Sequence, residues 1–227
     1  MLVNRIGFTA KIPDTQLVGE HIDNWVECFM SWLDLLTGQH VTTVGYRPPR
    51  QAMNRTCLYV REPDGSLTSE YVFRPFPPVY EDLGHVVATT ELLEHSCALA
   101  GDNEQVPMAW TLLRDARALH RVTQTRRAAV ECGSAVEMAA KALVDRRNIT
   151  IKRPKPTLGT FLFALRDDDY PLPIDFESAV LDVRNREVHM LPGWGSVSKA
   201  ESLRMLEIAT ILVEDAFPFP RGIKRVW

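Results

Sequence analysis

A short charged string near the middle of the second half of the chain contains the side chains best suited to chemistry. Arg184 and His189 stand at the two ends of RNREVH, and Asn185 follows the arginine directly. A histidine titrates near neutral pH and can therefore give or take a proton. A guanidinium can offer two parallel hydrogen bonds to a phosphate or a carboxylate. This combination favours acid–base chemistry next to a negatively charged group such as a phosphodiester.

The string lies at the end of a predicted helix that spans residues 176–191 and is capped by Asp175. Arg184 has Val180 and Val188 four residues before and after it, so its side chain starts from an apolar stripe. A cation in that position is costly unless an anion or a hydrogen-bond acceptor meets it. The pattern therefore predicts a partner for Arg184 in a groove.

Simpler roles for the same residues stay open. Arg184 can form a helix-surface ion pair with Glu187, three residues further on. His189 can bind the last carbonyls of its helix or favour the negative end of the helix dipole. Asn185 can be an exposed polar residue without a specific contact.

The preceding segment, residues 108–146, is rich in alanine and predicts one long helix or two helices placed end to end. Small side chains recur along one face of it and allow another helix to approach closely; they are Ala128, Ala129, Cys132, Gly133, Ala135, Val136, Ala139 and Ala140. Glu137 lies in the middle of this stretch. It is either an ordinary surface glutamate or a secondary acid that reaches the groove.

A basic, proline-containing loop follows at residues 146–156 and contains no acidic residue. Its cationic side chains are Arg146, Arg147, Lys152, Arg153 and Lys155. Clustered basic side chains are the electrostatic footprint of phosphate contacts, which makes these five residues candidates for RNA binding. Short charge runs are also common on solvated surfaces, so that alternative stays open.

The first part of the chain predicts a different fold class. Alternating apolar residues over 2–12 predict a strand, and the spacing of apolar residues over 18–36 predicts an amphipathic helix that ends at a Thr-Gly pair. The segments 55–61 and 67–74 flank the turn sequence EPDGS and predict a hairpin. The expected fold class is therefore α+β: a small N-terminal α+β domain, followed by an all-α helical bundle.

A polar, breaker-rich stretch at 100–107 predicts a linker, so we expect one domain over 1–103 and a second over 104–227. In the second, the sequence from Ser198 to Glu201 has the pattern of a capping box and predicts the start of the last helix. The first domain would sense, regulate or dimerise.

Overall charge is close to balanced, with 26 basic and 29 acidic side chains and a net charge of −3. The balance differs between the halves, because residues 1–103 carry 7 basic and 13 acidic side chains whereas residues 104–227 carry 19 and 16. The second half is thus the basic one, which suits an RNA ligand better than the average suggests.

Several classes of protein are disfavoured by the sequence. No apolar run reaches the roughly 18 residues that a membrane helix needs, and the N-terminus lacks the apolar core of a signal peptide. We therefore expect a cytoplasmic protein with no membrane partner. The four cysteines lie far apart, and no Cys/His or carboxylate set has metal-ligand spacing, so neither a metal nor a cofactor is expected.

The signature of the HEPN superfamily is an arginine, often followed by a polar residue, and then a histidine after four to six intervening positions, and RNREVH near its helix end resembles it. The resemblance covers residues 108–218, and RNREVH carries it better than LLRDARALH, where Arg114 and His120 have a similar spacing. Asn185 follows the first arginine, and the first motif closes a helix before a Pro-Gly breaker. NWVECFMSWLDLLTGQHV also resembles the domain that precedes HEPN in ApeA-like proteins.

This resemblance implies metal-independent cleavage of RNA in a homodimer, with the motifs of two protomers facing each other. The ribose 2′-hydroxyl would attack the adjacent phosphorus while His189 moves a proton and Arg184 meets the developing charge. Asn185 would orient the imidazole or contact phosphate. A toxin or an abortive-infection, antiviral effector is the implied role, with an antitoxin or other regulatory protein as a further partner.

Two other functions fit the same sequence. The chain can be a catalytically silent HEPN module that binds a nucleotide, RNA or a partner protein. It can also be a helical interaction scaffold in which the motif has no chemical role.

Overall fold

The fold is described from a computed structural model. The residues that it describes are 15–38, 54–55, 58–61, 63–64, 67–70, 75–76, 89–189, 196–220 and 223–224. The strand predicted over 2–12 lies outside them.

Helices account for most of the described chain. The α-helices are α1 (Thr15–Thr37), α2 (Thr90–Gly101), α3 (Met108–Arg121), α4 (Thr125–Arg146), α5 (Leu158–Asp167), α6 (Val183–His189) and α7 (Lys199–Ala216). A π-helix, Glu177–Asp182, leads directly into α6. The strands are β1 (Asn54–Arg55), β2 (Leu58–Arg61), β3 (Leu67–Glu70) and β4 (Pro75–Phe76). None of the described helices combines the length and the apolar composition needed to cross a membrane.

The chain divides into two compact units. One contains Met1–Gly38 together with Val86–Trp227, and the other is Gln39–His85. In the second unit β2 pairs antiparallel with β3, with Leu58 opposite Glu70, so the predicted hairpin is present in a shortened form. A second antiparallel pair joins β1 to β4.

The predicted α+β domain at the N-terminus is wrong. Helix α1, which we expected to belong to a separate α+β domain, belongs to the helical unit and packs against α2 and α3. Its Cys28 thiol and its Trp32 indole N–H both donate to the Glu104 carbonyl, at 3.1 and 2.6 Å. The apolar face of α1 is therefore covered by helices, and the first unit is a helical bundle. The all-α character predicted for residues 104–227 agrees with the described residues there.

Local signals in the sequence fix several helix ends. Gly38 has φ of 61°, a left-handed conformation that favours glycine, and it ends α1 as predicted. The capping box at the start of α7 is also confirmed. Ser198 Oγ accepts from the Glu201 N–H at 3.2 Å, and the Glu201 carboxylate accepts from the Ser198 N–H at 2.7 Å.

Helix α4 lies at the centre of the bundle and packs against α3, α5, α6 and α7. All eight of its predicted small residues are buried, which confirms the predicted close-packing face. The end-to-end arrangement of α3 and α4 is wrong. Thr123, with φ of 61°, lies in the turn between them, and the two helices pack side by side.

An aromatic cluster joins residues that are distant in the sequence. The ring of Phe219 stacks on Trp110 with a centroid distance of 4.4 Å and tilts against Trp32 at 6.4 Å. The Trp110 indole N–H donates to the Phe217 carbonyl at 2.7 Å. The segment after α7 therefore packs against both α1 and α3.

We expect Trp110→Phe to lower the free energy of unfolding by about 1–3 kcal/mol, because the Phe217 carbonyl loses its donor and the smaller ring leaves a void. Denaturant unfolding with an unchanged m-value measures the loss. The control is Trp25→Phe, at a half-buried position on α1. A loss at Trp110 no larger than that of the control would contradict this role.

Candidate functional site

The helix that carries RNREVH is irregular. Instead of the single predicted α-helix over 176–191, the π-helix Glu177–Asp182 is followed by the short helix α6. Asp175 was expected to cap this helix with its side chain. Its carboxylate instead accepts two hydrogen bonds from Arg204 of α7, each 2.7 Å long, and their formation holds the pKa of Asp175 below its usual value. Short π-helical turns occur often at functional sites.

Arg184 lies where α6 crosses α4. Its Nη2 donates to a carboxylate oxygen of Glu137 at 3.2 Å. The two side chains are 26% and 35% exposed, so the ion pair is accessible to solvent. The predicted groove partner for Arg184 is therefore Glu137, on another helix. The surface pair with Glu187, which the sequence left open, does not form.

Glu187, within the same string, is instead buried in a separate charge network. It is 8% exposed and lies 3.1 Å from Nε of Arg126, near the start of α4. Arg186 lies 3.9 Å from Glu187 and donates to Glu201 of α7 at 2.8 Å. Among the described residues, Nε of Arg186 is buried without a hydrogen-bond partner. Ion pairs thus tie α6 to the N-terminal ends of both α4 and α7.

Asn185 and His189 are the other two residues of the motif. Asn185 is exposed. His189 is the last residue of α6, and its side chain lies outside the part of the chain that the structure describes. Its pairing with Arg184 therefore stays a prediction.

The competing Arg–His pair belongs to the core. Arg114 contacts the carboxylates of Asp115 at 2.8 Å and Asp34 at 3.7 Å. His120 is buried, with Nδ1 3.0 Å from the hydroxyl of Ser202. Burial, and secondarily the charge of Lys199, lowers the pKa of His120, which favours its neutral form.

The basic loop is not adjacent to Arg184. Arg146 ends α4 and donates to the carbonyls of Asp215 and Ala216 at the end of α7. Arg147 donates to the Asp168 carboxylate at 2.6 Å and lies over the ring of Tyr170.

Lys152, Arg153 and Lys155 are exposed. The loop follows the C-terminal end of α4, and Glu137, the partner of Arg184, lies nine residues before that end, about 14 Å along the helix axis at 1.5 Å per residue. Arg146 and Arg147 therefore have structural contacts, and the three remaining cations form a separate surface.

Two features of the site were not inferred from the sequence. One is the charge network, although alternating charges in RNREVH and the glutamate of a capping box were visible signals. The other is the contact of the Arg184 stem with Gly133, which the sequence placed only among the small residues that let another helix approach. Among the described residues, no group of three or more His, Cys, Asp or Glu side chains could hold a metal ion.

Comparisons with protein-family models, with curated proteins and with solved structures find no match to this chain. The chemistry must therefore be inferred from the site itself. A half-exposed guanidinium that faces a single half-exposed carboxylate can exchange this partner for another anion, because both charges keep contact with water.

Glu201 should give the charge network a pH dependence. The Arg186 guanidinium, and then the N–H and hydroxyl of Ser198, lower the pKa of Glu201 from 4.5 to about 2. A lowered pKa adds stability above the ordinary value, and this stability is lost as the pH falls from about 4.5 toward 2. We expect Glu201→Gln to be less stable than the wild type at pH 7, with the difference shrinking toward pH 3.

Urea unfolding at pH 7, 5, 4 and 3 measures this effect. Glu207→Gln, an exposed glutamate of the same helix that pairs with Arg204, is the control. A pH-independent difference for Glu201→Gln, or an equal pH dependence in the control, would contradict the role of the ionised Glu201.

Proposed function

We propose that this protein is a metal-independent endoribonuclease of the HEPN type, acting in the cytoplasm as a toxin or antiviral effector. The proposal rests on the resemblance of RNREVH to the HEPN signature. The structural observation that supports it is the state of Arg184, a half-exposed guanidinium beside the half-exposed carboxylate of Glu137. A phosphate of RNA can take the place of that carboxylate, since both are oxyanions that a guanidinium binds in the same geometry.

The chemistry assigns a role to each side chain of the motif. The ribose 2′-hydroxyl attacks the adjacent phosphorus, and the bond to the 5′-oxygen of the next nucleotide breaks. His189 either takes the proton of the attacking hydroxyl or gives one to the leaving oxygen, and water carries the other of these two protons. Arg184 stabilises the negative charge that grows on the non-bridging oxygens. Asn185 orients the imidazole or contacts the phosphate.

We extend the proposal to a homodimer with a composite site, and to an antitoxin or other regulatory protein as a further partner. Val130 and Met138 favour an interface on this side, because both are apolar, both are exposed on α4, and Met138 follows Glu137 directly. Lys152, Arg153 and Lys155 would contact RNA away from the cleaved bond.

A catalytically silent module is the second candidate, and one contact favours it. Glu137 already neutralises Arg184 at 3.2 Å, and its negative charge opposes the approach of a phosphate. A protein that only binds a nucleotide, RNA or a partner protein can keep this ion pair intact.

Catalysis is tested directly with purified protein and RNA in excess EDTA. The wild type should produce fragments with 2′,3′-cyclic phosphate ends. Arg184→Ala and His189→Ala should each lower the cleavage rate by about 100-fold or more, because each removes charge stabilisation or proton transfer.

Arg166→Ala and His95→Ala are matched controls, since both residues are partly exposed, on α5 and α2, and each has a carboxylate neighbour at the surface. Cleavage that survives in both Arg184→Ala and His189→Ala would refute the assigned site. Binding of RNA without any cleavage by the wild type would favour the silent module.

Glu137→Gln separates the two roles open to this glutamate. Loss of its charge frees Arg184, so we expect RNA to bind about 2–10-fold more tightly while cleavage continues. If Glu137 serves as a secondary acid, cleavage should fall instead. Filter binding with a non-cleavable 2′-deoxy substrate, together with the cleavage assay, measures both effects.

A further inference from the structure

The crossing of α6 over α4 leaves no room for a side chain at residue 133. A methyl group built on Gly133 would lie 2.6 Å from Cγ and 3.4 Å from Cβ of Arg184. Real Cβ atoms essentially never come as close as 2.6 Å to another carbon, so an alanine at this position requires a shift.

The contacts around Arg184 limit where this shift can occur. Cγ is only the second atom of the side chain, so moving it requires a change of χ1 or of the α6 backbone. The Met205 methyl carbon lies 3.6 Å from the same built methyl group, and Met205 is fully buried. The far end of Arg184 is held by Glu137, which lies one helical turn after Gly133 on α4.

Two other helical glycines, Gly159 and Gly101, do not have this constraint. A methyl group at Gly159 of α5 would make ordinary contacts of 3.7 Å or more, and one at Gly101 would meet nothing within 4 Å. Because alanine is the better helix former, glycine inside a helix is ordinarily a disadvantage. At residue 133 the close approach of Arg184 explains why the helix has a glycine there.

We propose that Gly133 is a positioning residue for Arg184: the bare backbone of α4 at this point sets the path of the arginine stem, and thereby where the guanidinium lies relative to Glu137. The role in catalysis rests on the proposed function. The positioning itself does not, and it can be measured without any substrate.

The structural test is a double-mutant cycle on thermal stability, which uses Gly133→Ala, Arg184→Ala and the double variant. Gly133→Ala alone should lower Tm by about 3–8 °C through overpacking. Arg184→Ala removes the 2.6 Å contact and leaves the 3.4 Å contact with Cβ, which small movements relieve, and the ordinary 3.6 Å contact with Met205. In that background Gly133→Ala should change Tm by less than about 2 °C.

Gly159→Ala is the matched control, and it should leave Tm unchanged or raise it in both backgrounds. Equal effects of Gly133→Ala with and without Arg184 would overturn the proposal. So would a Gly133→Ala protein that is as stable as the Gly159→Ala control.

The catalytic test uses the EDTA cleavage assay well below the Tm of every variant. A misplaced Arg184 stabilises the transition state less, so Gly133→Ala should lower kcat about 10–100-fold with little change in KM. It should add no further loss in the Arg184→Ala background, which a general loss of stability would not reproduce. Unchanged kcat in Gly133→Ala would overturn the catalytic part. If the wild type cleaves no RNA, the proposed function fails, and the stability cycle still decides the positioning.

Discussion

Close packing around α4 is the constraint on which the helical unit depends. Four helices contact this one helix, and that is sterically feasible because its buried face consists mainly of alanine, glycine, cysteine and valine. The large side chains come from its neighbours, with Trp110, Leu162 and Met205 all fully buried. Small residues on α4 therefore determine how near the other helices come, and the same property brings α6 close enough for Arg184 to reach Glu137.

Helix α6 has only seven residues, too few to be stable on its own, so its neighbours must hold it in place. Ion pairs do so on both sides, from Glu187 to Arg126 of α4 and from Arg186 to Glu201 of α7. Each pair joins a largely buried side chain to a more exposed one, so desolvation offsets part of the attraction, and loss of the exposed partner leaves a largely buried charge uncompensated. Glu201 also completes the N-terminal cap of α7. The same carboxylate therefore stabilises the start of α7 and holds α6 through Arg186.

The sequence predicts the local features of this fold well and the long-range ones poorly. Gly38 and the Ser198 capping box determine helix ends through nearby backbone groups, so their patterns are sufficient. An amphipathic pattern shows that one face of α1 is buried but not what covers it, which is why the α+β domain was wrong. Charge partners are equally hard to predict from the sequence. Arg184 has an acid three residues away yet pairs with Glu137, 47 residues away. Asp175 binds Arg204 instead of capping its own helix.

The aromatic cluster also constrains the order in which the protein can fold. Trp110 and its carbonyl partner in Phe217 are 107 residues apart, and Trp32 lies even further from Phe219, whose ring packs against it. During synthesis α1 leaves the ribosome long before the ring that covers part of its apolar face has been made. Contacts of such long range form slowly, so the part of the α1 face that Phe219 covers stays exposed until the segment after α7 docks.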